Sequence, residues 1–270
     1  MGPRFFEAQI NFPPVADKAH ILFDRIKNTV RPVWYKLTKP GQPVFECPIC
    51  HKTGPFKSKR IRQKPPVTRK HSKCLSCGAV ERHRMLSLVL GELLAVKDFP
   101  RKKALHVAPE SCMKKLLVSS FDNYETLDLF MDHVDHKEDL QNMSLDDSIF
   151  DCVIVSRVLT APPDLNACLS EIHRILKPRG VVIISEPLLH KKTIDRIDKR
   201  DSRARELGLD FIEVLKTQFQ RVELFLSDRY DAKHQLNNII DTDPQNAVDY
   251  PELVDIPGMG YKEIVLVCST

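Results

Sequence analysis

Ala104-Leu-His-Val-Ala-Pro-Glu110 is a short apolar run that ends in a proline and a carboxylate. It opens a series of alternating strand-like and helix-like segments that continues to residue 270. Runs of this length, bounded by turn residues and repeated at intervals, predict buried parallel strands joined by helices. In such a sheet, ligands bind outside the carboxyl ends of the strands. Ala108, Pro109 and Glu110 are therefore expected where a ligand belongs. Taken alone, the same run also reads as a strand ending in a tight turn with a solvated glutamate.

The segments after it make the alternation specific. Residues 111–120 carry helical spacing in Met113, Leu116 and Leu117, and residues 124–129 read as a second strand with Asp128 near its end. A third strand has no clear signal before Asp139 and Leu140 and is expected to be short. Residues 150–156 form an unbroken apolar strand. Leu165, Cys168, Leu169, Ile172, Ile175 and Leu176 then mark an amphipathic helix, stopped by Lys177-Pro-Arg-Gly180. Residues 181–185 give the next strand, ending in Glu186-Pro187. A charged helical region is expected from 194 to about 216, then two closing strands over 220–226 and 263–268. Cys112, Cys152, Cys168 and Cys268 fall within these patterns and read as core residues.

Ahead of this half lies a chain of different character. Residues 1–100 carry 19 Lys/Arg against 7 Asp/Glu, and the remaining 170 residues carry 22 against 29. That split, +12 against −7, predicts two modules and either an acidic partner for the first or mutual neutralisation. Cys47-Pro-Ile-Cys50 and Cys74-Leu-Ser-Cys77 are two C-x-x-C knuckles with 23 residues between them. This spacing matches a four-thiolate zinc ribbon, in which two tight turns complete a tetrahedron and leave no open coordination position. A redox dithiol needs a single C-x-x-C and is the weaker reading. His51 and His71 are surplus to the ligand set and are expected to face solvent.

Residues 57–73 hold eight Lys/Arg and no acid. They read either as a surface for RNA phosphates or as a solvated loop. Few aromatics accompany them, so a stacking platform is thin. Residues 81–99 predict a helix, with Glu81, Arg82, His83 and Arg84 at its start to face a cofactor or cap the first turn. Residues 15–37 have helical spacing interrupted by Pro32, which predicts two short pieces. No apolar run reaches the roughly 18 residues of a membrane helix, and residues 1–14 lack a secretory core. A cytoplasmic protein with reduced thiols is expected.

Two motifs carry a family resemblance. FDCVIVSRVL followed by LNACLSEIHRILKPRGVVIIS resembles the fourth strand, helix and fifth strand of class I S-adenosylmethionine (SAM)-dependent methyltransferases. C-x-x-C, C-x-x-C-G-x-x-ERHR and L-H-x-APE are more narrowly similar to a methyltransferase type 11-like subgroup with an N-terminal four-cysteine zinc ribbon. The architecture is also similar to ribosomal-RNA guanine methyltransferases. The resemblance implies an α/β fold, a Rossmann-like class I methyltransferase sheet with helices on both faces plus a small zinc ribbon. The implied organisation is a helical arm over 1–44, the ribbon over 45–80, a connecting helix over 81–100, and a SAM-binding domain over 101–270 with a cap around 190–210.

The same resemblance implies a cofactor site. His106, Ala108, Pro109 and Glu110 would form the loop after the first strand, with Asp128 on the ribose. Asp139 and Leu140 would border the adenine, and Ser156, Arg157 and Val158 would line the mouth after the fourth strand. Cys47, Cys50, Cys74 and Cys77 would hold structural zinc. The usual glycine-rich loop is replaced by Ala-Pro-Glu, which is typical of the subgroup. The common Leu-Glu-His after the fourth strand is replaced by Leu159-Thr160-Ala161. His133, Glu186 and His190 are the candidate general bases for an oxygen or nitrogen acceptor. No Asn/Asp-Pro-Pro-aromatic motif follows the fourth strand, which argues against exocyclic base amines and leaves ring nitrogens, glycans and small molecules. The alternative function is a zinc-ribbon nucleic-acid-binding protein with an inactive methyltransferase domain. A nicotinamide enzyme is disfavoured because no G-x-G-x-x-G follows the first strand.

Overall fold

The computed structural model describes residues 30, 34–35, 37–61, 67–96, 99, 101–196, 203–241 and 248–270. Most of the N-terminal helical reading lies outside them; Trp34, Tyr35, Leu37 and Thr38 are helical. Two sheets organise the rest. The first is six-stranded, built from β3 (Lys103–Val107), β4 (Asn123–Leu127), β5 (Phe150–Ser156), β6 (Leu176–Ser185), β7 (Arg221–Leu226) and β11 (Ile264–Ser269). Its order is β7-β11-β6-β5-β3-β4. β4, β3, β5 and β6 run parallel, while β11 lies antiparallel between β6 and β7. The order reverses at β3, between β4 and β5, which is the switch point where such sheets bind ligands. The expected third strand is reduced to one parallel bridge, Leu127 to His136.

Alternation along the strands divides the core. Cys152, Ile154, Ile183, Val265 and Val267 face α1 (Glu81–Ala95) and α2 (Ser111–Ser120), meeting Met85, Leu86, Val89, Met113 and Leu117. Val153, Val155, Val182, Ile184 and Leu266 face α3 (Leu165–Ile175) and α4 (Phe211–Gln218), meeting Leu169, Ile172, Phe211 and Leu215. Each fully buried side chain of this size contributes about 1.5–3 kcal/mol, so both helical layers are held by their own apolar stripe. The sheet is thus covered on both faces, as a parallel sheet requires.

The second sheet joins regions far apart in sequence. β1 (Phe56–Ile61) and β2 (Val67–Cys74) form the hairpin between the knuckles. β8 (Asn238–Asp241) pairs with β2, and β9 (Asp255–Ile256) and β10 (Gly260–Tyr261) continue outward, giving the order β9-β10-β8-β2-β1. The ribbon sheet therefore crosses the boundary expected between the first and last modules. Gly260 makes this closure possible: a Cβ there would lie 2.0 Å from the Asn238 carbonyl oxygen.

Buried polar groups lock the sheets together. Arg84, with no exposure, donates to the Ser72 and Ala79 carbonyls at 2.7 and 3.0 Å and to the His234 carbonyl at 2.9 Å, with Phe56 under its guanidinium at 4.5 Å. Buried Glu81 accepts from Ser72 at 2.9 Å and pairs with Arg69. Arg69 reaches Asn238 at 2.8 Å, Asn238 donates to Glu263 at 2.7 Å, and Glu263 pairs with Arg157. The charged region expected as a helix over 194–216 is instead a two-residue strand pair, Ile194–Asp195 with Arg205–Glu206, followed by α4; residues 197–202 lie outside the described ones. Buried Arg205 donates to the Leu159 and Pro162 carbonyls, so this insert seats on the loop after β5.

Candidate functional site

The two knuckles fold alike. The Cys47 amide donates to Lys52 and the His51 amide to Cys47; the Cys74 amide donates to Ala79 and the Gly78 amide to Cys74. Both turns need a left-handed residue after the second cysteine, filled by His51 (φ 56°) in one and Gly78 (φ 80°) in the other. The glycine is at ease there and the histidine is not. These turns bring all four sulfurs within 4.8 Å of one another. Cys47 and Cys77 are 3.5 Å apart and Cys50 and Cys74 are 3.8 Å apart. A tetrahedral zinc with bonds near 2.3 Å places sulfurs about 3.8 Å apart, so the four thiols fit that ion. The hydrogen bond from Cys47 leads in lowering the Cys50 thiol to about 7. His51 is exposed as expected, but His71 is half-buried against the Phe45 ring at 5.5 Å.

The second knuckle runs directly into α1, and α1 builds one side of the sheet's mouth. The Val80 amide donates to His83 Nδ1 at 3.2 Å. That nitrogen is therefore an acceptor, and the ring proton sits on Nε2, which donates to Glu110 Oε1 at 3.1 Å. The Cys112 thiol lies 3.1 Å from the same Nδ1. Cys112 lines a cavity and is a polar partner of His83, a role its helical position concealed.

Glu110 sits where β3 passes into α2 and is saturated with donors. Arg82 Nε and Ser156 Oγ reach Oε1 at 3.2 and 3.0 Å, and His106 Nε2 meets Oε2 at 3.2 Å. Tyr124 fixes the other His106 nitrogen at 2.9 Å. Burial opposes ionisation, but hydrogen bonds from His106 and His83 and the charge of the Arg82 guanidinium outweigh it. The carboxyl is held well below the usual carboxylate range. The loops after β3 and β5 both turn on left-handed non-glycine residues, Ala108 (φ 51°) and Arg157 (φ 60°), conformations that cost about 1–3 kcal/mol each and cluster at functional sites.

Glu186, at the end of β6, has no exposure. Its Oε1 accepts the Val158 and Leu159 amides at 2.5 and 2.9 Å, and its Oε2 is buried with no partner among the described residues. Burial pushes it up to about 7, against a smaller pull from Arg157.

A cavity of about 1200 Å³ opens at the carboxyl ends of β3 and β4. Ala108, Pro109, Glu110, His83 and Cys112 line it from the sheet side, Lys57, Lys73 and Gly78 from the ribbon, and Trp34, Tyr35 and Met131 from beyond. Of the expected cofactor residues, Ala108, Pro109 and Glu110 line this cavity, and His106 and Ser156 stand behind Glu110. Asp128 Oδ1 accepts the Phe130 and Met131 amides at 2.7 and 2.9 Å and so shapes the cavity's edge. Asp139 is half-buried and bonds Gln141, and Leu140 is buried in the core. Val158 is half-buried beside Glu186. His133 is exposed, and His190 is bonded to Glu206 at 2.8 Å within the insert, away from the Glu110 cluster's bonds. Among the described residues no helix is long and apolar enough to cross a membrane.

Residues 114–184 match the family model of a methyltransferase domain. One curated relative, described as probable polyketide synthase 38 of Dictyostelium discoideum, is 34% identical over 79 residues; they make up 29% of this chain and about 2% of that protein's length. Among solved structures, the chain is similar to 1,6-didemethyltoxoflavin-N1-methyltransferase of Burkholderia thailandensis, at 13% identity and a TM-score of 0.46 over 100% of this chain and 99% of that one. It is also similar to the N-methyltransferase NodS of Bradyrhizobium japonicum, at 14% identity and a TM-score of 0.43 over 70% and 86%. The domain match runs from within α2 to the end of β6 and takes in three of the four parallel strands, β4, β5 and β6: residues 114–184 of this chain match a methyltransferase domain.

Proposed function

We propose that this chain transfers the methyl group of SAM to an oxygen or nitrogen nucleophile on a second molecule, with zinc as a structural ion in the four-cysteine site. The observation that carries the reading is the cavity at the switch point of the sheet, bordered by Ala108–Glu110 and large enough for a cofactor and an acceptor together. Bound there, SAM supplies an electrophilic methyl group. The chain's own part is to align donor and acceptor and to exclude water.

In this reading Asp128 receives the ribose hydroxyls on its second oxygen, with Oδ1 committed to the turn. Asp139 and Leu140 border the adenine. Lys39 on the cavity wall complements the methionyl carboxylate. Glu110, with its oxygens already occupied, is a positioning residue that sets the Ala108-Pro109 loop against His83, His106 and Ser156. Arg157 and Val158 form the mouth beside Glu186. Among the three candidate bases, burial raises Glu186 to about 7, toward neutral pH; His190 is engaged by Glu206. A cytoplasmic setting is consistent with eight free thiols.

Calorimetric titration with SAM and S-adenosylhomocysteine, after checking for ligand carried through purification, tests this directly. Micromolar binding is the expected result. A folded, zinc-loaded protein that binds neither would leave the second reading, a nucleic-acid-binding ribbon with an inactive domain. The lysines and arginines of β1 and β2 favour that alternative.

A further inference from the structure

We propose that the cleft between the ribbon hairpin and the start of α1 binds phosphate groups of the methyl acceptor, so that the acceptor is a phosphorylated small molecule. This inference rests on the methyltransferase reading and names the substrate class of the same site.

The cleft has a volume of about 470 Å³ and its walls carry Lys57, Lys59, Arg60, Lys73 and Arg82, with no carboxylate among the described lining residues. The first turn of α1, Val80 to His83, closes one side, adding the positive end of a 15-residue helix. The strand register concentrates charge in a way folding alone does not favour. Lys57 lies directly opposite Lys73, and Lys59 opposite Arg69. Like charges in cross-strand pairs destabilise a sheet. Arg69 is relieved by Glu81, and Arg82 is engaged by Glu110. Lys57, Lys59, Arg60 and Lys73 have no ion-pair partner among the described residues. Although its side chain is exposed, Lys59 holds its proton less tightly than an ordinary lysine, through partial desolvation first and then the charges of Arg69 and Arg82. An anion in the cleft would relieve all of these repulsions together.

The cleft also has a direction. Lys57, Lys73, Gly78 and His83 line both it and the larger cavity. A phosphate held by the hairpin therefore leaves the group attached to it facing Ala108–Glu110. Among the described residues no phenylalanine, tyrosine or tryptophan lines the cleft, and binding to single-stranded RNA draws much of its affinity from such stacking. The geometry thus favours a compact phosphorylated molecule over a polynucleotide.

The test is titration of the full chain with inorganic pyrophosphate at low salt, alongside the double variant Lys59→Gln/Arg60→Gln. Both side chains are exposed, so folding is retained. Saturable binding that weakens at least tenfold in the variant, with S-adenosylhomocysteine affinity unchanged, supports the proposal. No saturable binding, or equal binding by both proteins, overturns it. A 20-nucleotide poly(U) that binds the wild type more tightly than pyrophosphate and is not displaced by it also overturns it, in favour of RNA. A second measurement uses Lys73→Glu, which places opposite charges across the register from Lys57. This variant should melt higher than wild type without ligand and lose the rise in Tm that pyrophosphate gives; a retained rise counts against the cleft. If S-adenosylhomocysteine fails to bind any of these proteins while pyrophosphate behaves as expected, the cofactor reading fails and the phosphate site stands.

Discussion

Glu110 and Glu186 occupy comparable places, each beyond the carboxyl end of a parallel strand, yet their proton affinities are shifted in opposite directions. Glu110 collects four side-chain donors, two of them from Arg82 and His83 just beyond the second knuckle. Glu186 receives two backbone amides on one oxygen and, among the described residues, nothing on the other. The first is held ionised by His106 of the sheet together with His83 and Arg82 of the ribbon-proximal helix, and burial raises the second toward neutral pH. Burial alone does not decide the charge of a carboxyl; the supply of donors does. The mouth therefore has one half built by the ribbon and one half built by the sheet.

The largest expected effect breaks the ribbon half. Cys74→Ser should abolish zinc binding by the four-cysteine site and unfold the knuckle hairpin, since structural zinc contributes folding free energy on the order of 10 kcal/mol. S-adenosylhomocysteine binding should fall with it, because Arg82 and His83 lose their anchorage. A variant that keeps its zinc and its Tm would disconnect the ribbon from the mouth. Next in size is Glu110→Gln, which leaves His106, His83 and Arg82 facing an amide and should cost about 3–5 kcal/mol in denaturant unfolding. A loss below 1 kcal/mol would show that the four donors are not working together.

Glu186 predicts the opposite pH behaviour. Its folded proton affinity is raised, so its stabilising effect is complete below the unfolded value near 4.5 and is lost as pH climbs to about 7. The loss across that window is about 3 kcal/mol. Glu110, held low, stabilises above the unfolded value and loses that effect as pH falls below it. Urea unfolding from pH 4.5 to 8 should show Glu186→Gln nearly matching wild type at the acid end and exceeding it at the alkaline end. Parallel curves would mean that Glu186 is ionised throughout. The smallest effect belongs to Ser156→Ala, which removes one donor of four from Glu110 and should cost about 1–1.5 kcal/mol.

The first strand, the fourth strand and the amphipathic helix between β5 and β6 were legible because apolar runs and helical spacing are local signals. α2 and β5 fall at their expected residues, 111–120 and 150–156. The four cysteines were legible because spacing alone encodes two turns. What escaped was set by distant partners. Asn238–Asp241 is four residues of mixed character, and nothing in it announces a partner at Arg69 and Lys70. Arg84 reads as a solvated helix-start residue, yet carbonyls from both chain ends bury it completely. The third strand could not be found because it is a single bridge at His136. Glu186 was visible as a strand end, but its orphaned oxygen depends on what packs around it.

The pairing of β2 with β8 has a consequence for synthesis. Arg69 and its partner Asn238 are 169 residues apart. At about 5–20 residues per second, β2 waits roughly 10–30 s on the ribosome before the strand that covers its edge emerges. An uncovered strand edge invites pairing with other chains, and lysine is a common guard against it. The lysines and arginines of the hairpin thus shield the nascent chain during this wait, before the completed protein can use them for anything else.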